Sequence, residues 1–379
     1  MSGSRPFGVH RGTSPWPWST AGHWGRGHHV RSVVHPCLTR AAPRGGRVQG
    51  PRAVTRDRTA PLWTLPVMTV EDADELQQVV RKEIGRVAAV QKYTPGWLDA
   101  PYADLGEDPC ATLLPFYWSH TALRPVTAPD LPANHQAAAA DSAREGGNGL
   151  GIRVRLPHGW SEERAENTAA LLSRVGREVP VDLLLDLQTV LPDRPDAGKE
   201  ALRALDALVP LTPWRTVAVL SGAFPDDVDR LLDRDRDRGE ADRTDWETWH
   251  EVRLSGRSYA KAVRYGDYGT LPARHLGRAA GGGERSRFGL LRYTTDRSFL
   301  LARFWAEKRG ETGVTREAAR WITEDPEFRG GPASSGELWY QRCAHATGSQ
   351  GTGNAGTWNQ VGNVQHMTYV VRCLQGRAV

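Results

Sequence analysis

The sequence predicts an α/β fold of the TIM-like (β/α) barrel type. Short apolar stretches recur along the chain, and each ends in a polar residue that is followed by a loop and a helical pattern. Val181–Leu187, Thr216–Gly222 and Ala262–Gly269 show this pattern most clearly. Strands that are apolar on both faces are typical of parallel sheets covered by helices. In a closed barrel the polar strand ends meet at one mouth, where such folds carry their chemistry.

The elements follow one another at a fairly even spacing between residues 61 and 269. Strands are predicted, in order, at Leu62–Val67, Gly96–Ala100, Leu123–Thr127, Ile152–Leu156, Val181–Leu187, Arg215–Gly222 and Lys261–Gly269. Helical patterns between them run from Thr69 to Val90, across Ala137–Ala140, onward from Ser161, and around Lys199–Leu208. Thr69 and Ser161 are residue types that cap a helix start, and acids follow both.

Three further segments complete this part of the prediction. Residues 226–245 alternate acids with arginines, which predicts a solvated helical face. Gly289–Thr294 and Phe299–Phe304 are predicted to form a hairpin. A last helix and a region rich in Gly, Ser and Thr close the chain.

Residues 1–58 differ in composition from the rest, so we expect a disordered basic tail before a barrel domain at residues 59–379. Residues 1–60 contain ten Arg, no Lys and the single acid Asp57. They are rich in Gly, Pro, His and Trp, and so few aliphatic side chains cannot offset the entropy of ordering. We also expect that this tail is an upstream extension without a role of its own; the alternative is contact with nucleic acid through Trp24, Arg26 and Arg31.

The charge distribution argues against reading the whole chain as a nucleic-acid binder. The net charge is +5, but residues 1–60 carry +9, so the remainder carries −4. The four cysteines show no metal-ligand spacing and are typical of free thiols in a reducing cytoplasm. No apolar stretch approaches the roughly 20 residues that span a bilayer. We therefore expect a cytoplasmic protein without membrane contact.

Common catalytic signatures are absent from the sequence, including GxxxxGK[ST], GxSxG and HExxH. The candidates are instead polar residues at strand ends. Asp186 and Asp267 are the best general acid or base candidates, because neighbouring charge and burial at a barrel mouth shift carboxylate pKa values. Each has an alternative structural reading: Asp186 as a cap for the next segment, and Asp267 as part of a Gly-Asp-Tyr-Gly turn.

Other polar residues are predicted to contribute binding at the same mouth, although each also suits a structural role. They are Arg124, Ser221, Tyr268, Arg292, Tyr293 and His366. A single histidine without a sequence partner is more often structural than catalytic. Acids with hard oxygen ligands suit Mg²⁺, but the sequence defines no metal ligand set.

Several segments together resemble the beta family, which is named after a beta protein of phage T4. The segments that carry the resemblance are Pro61–Pro66, Leu123–Thr127, Val181–Asp186, Val219–Pro225, Asp245–Trp249, Tyr265–Tyr268, Arg292–Thr294, Phe328–Gly330, Gly336–Trp339, Gly353–Asn354, Thr357–Trp358 and Val361–Thr368. The resemblance covers residues 61–375. It implies a barrel-like fold and a link to phage or anti-phage genes, and it brings no established activity.

The chain departs from this family at its start and near its C-terminus. The family opens with a strand that carries a lysine and a following acid, and residues 1–60 contain no such strand. Pro61–Val67 would then be the second strand, and the barrel would have a gap with unpaired edge groups. The family's paired histidines are Gln365 and His366 in this chain.

Two functions of different classes follow from the sequence. The first is a recognition or accessory component of a phage or defence system that binds an unidentified protein or nucleic acid. The second is a metal-assisted hydrolase that acts on a phosphorylated substrate through Asp186 and Asp267.

Overall fold

The computed structural model describes residues 59–65, 72–91, 93–103, 105, 110–232, 237–273, 288–305, 313–346 and 351–376, and the backbone of His35–Leu38. Only the backbone of residues 86 and 90 is included. The predicted disordered tail therefore lies outside the described residues, except for that short strand.

Strands and helices alternate along most of the chain. The strands are β1 (His35–Leu38), β2 (Thr59–Thr64), β3 (Gly96–Asp99), β4 (Leu123–Thr127), β5 (Leu150–Arg155), β6 (Val181–Thr189), β7 (Thr216–Gly222), β8 (Arg238–Asp242), β9 (Arg264–Asp267), β10 (Phe288–Thr294) and β11 (Ser298–Trp305). The helices are α1 (Ala73–Gln91), α2 (Cys110–His120), α3 (Ala133–Gly146), α4 (Glu162–Val175), α5 (Ala197–Leu208), α6 (Val228–Leu231), α7 (Thr244–Leu254), α8 (Gly313–Thr323), α9 (Ser335–His345) and α10 (Ala355–Leu374). None of these helices is long and apolar enough to cross a membrane.

The main sheet contains seven parallel strands in the order β2-β3-β4-β5-β6-β7-β9. It curls strongly, as contacts between side chains of distant strands on its concave side show. Trp97 on β3 donates a hydrogen bond to Asp182 on β6 at 3.0 Å. Arg153 on β5 reaches Thr64 on β2 at 3.5 Å. The predicted α/β architecture is therefore confirmed as a curled half-barrel.

A closed eight-stranded parallel barrel is not shown. β1 is the eighth strand of the sheet, but it pairs antiparallel with β2, His35 lying opposite Leu62. It also lies against β9, so it occupies the position between β2 and β9 as an antiparallel strand. Within the described strands, no ladder joins β9 to β1.

Two apolar layers cover the two faces of the main sheet. Alternate residues of each strand point to opposite faces, so Leu183 and Leu185 pack on the convex side with the helices. Leu184 packs on the concave side with Trp97 and Leu220. The interior of the half-barrel is thus filled by side chains and is not an open channel.

A second, three-stranded antiparallel sheet has the order β10-β11-β8. The predicted hairpin is confirmed, with Thr294 opposite Phe299. The helical prediction for residues 226–245 is wrong at Arg238–Asp242, which pairs with β11. Its charged residues alternate with Gly239 and Ala241, and this two-residue period suits an edge strand whose polar face meets solvent.

Helix α10 is anchored against this second sheet and against α9. The side chain of Asn354 caps its start by accepting a hydrogen bond from Thr357 N at 3.2 Å. Gly336 of α9 allows close packing, because a Cβ there would lie 2.9 Å from the carbonyl oxygen of Val361 and 2.8 Å from the Cβ of Gln365. This contact fixes the position of α10, which carries His366.

Replacing Gly336 with Ala should lower the free energy of unfolding by about 1–3 kcal/mol, because a backbone must move to admit the methyl group. Urea denaturation measures the change. The matched control is Gly313→Ala in α8, where a Cβ would meet no atom within 4 Å. Equal effects of the two substitutions would show that the α9–α10 contact does not depend on this glycine.

Candidate functional site

The two candidate acids lie on opposite faces of the main sheet. Asp186 follows Leu184 by two residues and therefore points to the concave side. Asp267 contacts His366 of α10. Helix α10 covers the convex side, so Asp267 points to that side. Ser221 is the register partner of Asp267 and shares its face. The predicted meeting of Asp186, Ser221 and Asp267 around one opening therefore does not occur.

The concave side holds a buried ionic network, here called the Arg153 cluster, formed by Asp99, Arg153, Asp186 and Tyr268. Arg153 donates to Asp99 Oδ2 from Nη1 at 2.5 Å and to Asp186 Oδ2 from Nη2 at 2.6 Å. Tyr268 donates its hydroxyl to Asp186 Oδ1 at 2.6 Å. Four strand ends thus meet through one guanidinium group.

These charged groups must pair with one another because water cannot reach them: Arg153 is 4% exposed and Asp186 is fully buried. Burial alone would lower the pKa of Arg153, but Asp186, Tyr268 and Asp99 together raise it well above its usual range. Burial, with Asp186 next in size, raises the pKa of the Tyr268 hydroxyl well above its ordinary value. The cluster therefore remains a charged guanidinium and a neutral phenol across the physiological pH range.

The backbone is strained directly after Asp186. Gln188 has φ 59°, and within the described residues it is the one non-glycine residue with positive φ. The strand register shifts between Asp186 and Thr189, which marks a bulge. Gln188 N donates to Asp186 Oδ1 at 2.8 Å. Arg194 donates to the carbonyl oxygens of Leu187 and Thr189 on either side.

Positions that hold such strain cluster at ligand-binding and active sites, where surrounding contacts keep them in place. Gln188 is half-buried at the carboxyl end of a central strand, and its side chain is not among the fully buried ones. It is therefore the strongest candidate at the mouth for contact with a ligand. The sequence pattern did not identify it, because no composition signal marks a left-handed glutamine.

The convex side holds a second network, here called the Asp267 cluster, formed by Asp245, Tyr265, Asp267, Thr294 and His366. The imidazole of His366 lies 2.8 Å from Asp267 Oδ2 and 3.0 Å from Thr294 Oγ1. Tyr265 donates to Asp245 Oδ2 at 2.5 Å. The next residue, Gln365, bonds both the amide and the carbonyl of Thr294.

Burial affects the two carboxylates of this cluster differently. Burial raises the pKa of Asp245, and nearby Asp267 raises it further. For Asp267, burial is outweighed by His366 and by hydrogen bonds, so its pKa lies below the ordinary value. Asp267 is therefore a stable anion beside His366.

A hydroxyl, an imidazole and a carboxylate in sequence are also the components of nucleophilic triads. Here Thr294 and His366 are fully buried and Asp267 is 1% exposed. A nucleophile must reach its substrate, so this chain of contacts serves to attach α10 to β9 and β10. His366, predicted to contribute binding, contacts Asp267 in the structure.

The remaining predicted residues do not lie at carboxyl ends of the parallel strands, although the guanidinium of Arg292 lies 5.4 Å from the ring of Phe224 just after β7. Arg124 is near the start of β4, where it bonds Asp182 at 3.2 Å at the opposite end of the sheet. Arg292 and Tyr293 belong to the second sheet, because β10 does not join the parallel strands. Arg292 donates to Asn359, and Tyr293 is buried in the apolar cluster of that sheet.

Arg153 is the central residue that the sequence did not reveal. Its segment alternates polar and apolar residues, which usually indicates a strand with one solvated face. A usable signal was the presence of acids at the ends of neighbouring apolar strands, because a carboxylate that becomes buried is usually paired with a cation. Within the described residues, no group of three or more His, Cys, Asp or Glu side chains is arranged to hold a metal ion.

The model of the family described as Beta protein matches residues 52–372. Searches of curated proteins and of solved structures returned no match.

Replacing Arg153 with Met should lower the free energy of unfolding by about 3–5 kcal/mol, because Asp99 and Asp186 would remain buried without their cation. Urea denaturation at neutral pH measures the loss. Arg257→Met is the control: Arg257 pairs with Asp206 at 3.1 Å on the surface, and such pairs contribute little. A loss no larger than that of the control would contradict a structural role for the Arg153 cluster.

Replacing Asp267 with Asn should destabilise the protein most at neutral pH. The pKa of Asp267 is lowered in the folded protein. Its contribution to stability is therefore present above the pKa of the unfolded state, about 3.9, and is lost as pH falls through the pKa of the folded state. The difference in unfolding free energy between wild type and variant should therefore shrink in acid. Urea denaturation between neutral pH and about pH 3 measures it.

Asp245→Asn should show the opposite trend and is the matched control. The folded pKa of Asp245 is raised, so its contribution is present below the unfolded value and is lost as pH rises through the folded value. The free energy of unfolding of the variant should therefore rise relative to that of the wild type as pH rises. Parallel pH profiles for the two variants would contradict the assigned directions.

Proposed function

Since the chain belongs to the Beta protein family, we propose that it is a recognition or accessory component that binds a protein or nucleic-acid partner. We place it in a phage or defence system and in the cytoplasm, and we divide it into a basic tail at residues 1–58 and a folded domain at residues 59–379. A binding role does not require the buried acids to reach a substrate.

The state of the two candidate catalytic acids supports this proposal most strongly. Both oxygens of Asp186 accept hydrogen bonds, from Arg153 and from Tyr268 and Gln188 N. Asp267 is engaged by His366 and by Gly269 N at 2.8 Å. A general acid or base must come within hydrogen-bond reach of its substrate, and carboxylates this buried and this strongly paired are poorly placed for that.

The alternative remains a metal-assisted hydrolase that uses the same acids on a phosphorylated substrate. Mg²⁺ keeps several waters and is bound through carboxylates with open coordination positions. Asp186 would have to exchange the guanidinium of Arg153 for the metal. Its hydrogen bonds at 2.6 Å and 2.9 Å to that group count against such an exchange.

The mouth surface is the part of the fold best suited to a partner. We define it as Arg155, His158, Trp160 and Gln188, which lie at or just after the carboxyl ends of β5 and β6. These two segments are joined, because Leu156 N donates to Asp186 O and Arg194 donates to Leu156 O. His158 is exposed, and Arg155, Trp160 and Gln188 are half-buried. A cation, an imidazole, an indole and an amide suit polar and stacking contacts with protein or nucleic acid.

A photo-crosslinking amino acid at position 158 should capture the partner in cells that carry the gene naturally. Arg177 is the matched control position, because it is also exposed but lies before β6 at the opposite end of the sheet. We expect one dominant adduct from position 158 that is absent from position 177. Mass spectrometry and nuclease treatment of the adduct distinguish a protein from a nucleic acid.

Adducts shared equally by the two positions would contradict a partner site at the mouth. The enzyme alternative is tested on the same purified chain by nuclease and phosphatase screens with Mg²⁺ or Mn²⁺. Turnover in these screens that Asp186→Asn or Asp267→Asn abolishes would overturn the binding role. The absence of both turnover and a metal-dependent rise in melting temperature would rule out the hydrolase alternative.

A further inference from the structure

Arg243, which precedes α7, is one of the largest fully buried side chains among the described residues, at 1% exposure. Its guanidinium lies 5.0 Å from the ring of Trp246 and 5.8 Å from the ring of Phe299. These aromatic faces stabilise the charge but accept no conventional hydrogen bonds. The N–H groups of Arg243 therefore need other acceptors.

The donors of Arg243 are only partly satisfied. Nη1 donates to the carbonyl oxygen of Thr295 at 3.1 Å. Nε and Nη2 have no partner with hydrogen-bond geometry among the described residues, and neither has Oδ1 of Asp245. The hydroxyl of Tyr265 is close enough to contribute to the raised pKa of Arg243. The two groups face each other at a distance, with Nη2 3.9 Å from Asp245 Oδ2. That separation exceeds a direct hydrogen bond, so these two atoms do not satisfy each other.

Asp245 cannot move closer to Arg243 without losing a hydrogen bond of its own. Its Oδ2 atom accepts the hydroxyl of Tyr265 at 2.5 Å, and Tyr265 is held in β9. Moving the carboxylate toward Arg243 would break that bond. Buried polar groups in native proteins nearly always have partners, including ordered water.

The chemistry of the three unsatisfied atoms selects the occupant. Nε and Nη2 lie on one edge of the guanidinium plane and offer two donors, and Asp245 Oδ1 offers an acceptor. A water oxygen accepts both donors and returns a hydrogen to the carboxylate. An oxyanion would satisfy the donors, but it would lie beside Asp245 with Asp267 nearby and be repelled by them.

We propose that one ordered water molecule binds between Arg243 Nε and Nη2 and Asp245 Oδ1. It completes a chain of hydrogen bonds that runs from the carbonyl of Thr295 through Arg243, the water and Asp245 to Tyr265. This chain joins the β10–β11 turn and the start of α7 to β9. The site is separate from the mouth surface, so it stands whether or not the mouth binds a partner.

A crystal structure that resolves ordered waters, obtained in a buffer without carboxylate, phosphate or sulfate, tests the proposal directly. We expect a single spherical density peak within about 3.2 Å of all three atoms. A direct Arg243–Asp245 pair, an empty site, or density larger than one oxygen would overturn it.

Magnetic relaxation dispersion of water ¹⁷O, which counts long-lived internal waters, gives a second test in solution. Arg243→Met should lose the signal of one water, whereas the surface variant Arg257→Met should keep it. An unchanged signal in folded Arg243→Met would overturn the proposal. If that variant does not fold, the wild-type density still decides. A rise in wild-type melting temperature with acetate or phosphate that Arg243→Met abolishes would identify an oxyanion site instead.

Discussion

The ion pairs of Arg153 with Asp99 and Asp186 tie β3, β5 and β6 together inside the curled sheet. Charges of this kind are costly to bury, and their mutual attraction offsets the cost only when the geometry is tight. Each of the three is nearly inaccessible to solvent. The curvature that brings the strand ends together and the pairing of these charges therefore depend on each other. The same pairing gives Asp186 a structural task.

Strand β9 shows how one short element serves two faces. Tyr268, just past its end, reaches the concave side and bonds Asp186 and Arg153. Asp267, one residue earlier, points to the convex side and meets His366. The second sheet and α10 are thereby attached to the same strand that closes the Arg153 cluster. A change at β9 would be felt in both polar networks, although they share no side chain.

Much of the fold could be predicted from the sequence because apolar runs and turn residues are local signals. β6, β7 and the β10–β11 hairpin lie where their patterns place them. Residues 238–242 were mistaken for part of a helix because charge alternation alone does not distinguish a three- or four-residue period from a two-residue period when few apolar residues are present.

The site was less predictable because strand-end position does not determine side-chain direction. Asp186 and Asp267 both lie toward the carboxyl ends of their strands, but side chains of successive strand residues alternate between faces. Only the register, which places Ser221 beside Asp267, reveals that these two share a face. Register depends on long-range pairing and cannot be predicted from one segment of the sequence alone. The burial of Arg153 was hidden for the same reason, since its acids come from other strands.

Gln188 shows where the fold accepts a cost in backbone strain. A glycine at φ 59° would carry little strain, whereas a side chain there is disfavoured. The position is held from two sides, by Asp186 Oδ1 and by Arg194, so the surrounding structure compels this conformation. Neither contact uses the Gln188 side chain, because one uses its amide and the other its neighbour's carbonyl. The structural requirement is thus met by the backbone alone. We therefore propose the Gln188 side chain, at the mouth beside acids that the fold has already engaged, as a group for contact with a partner.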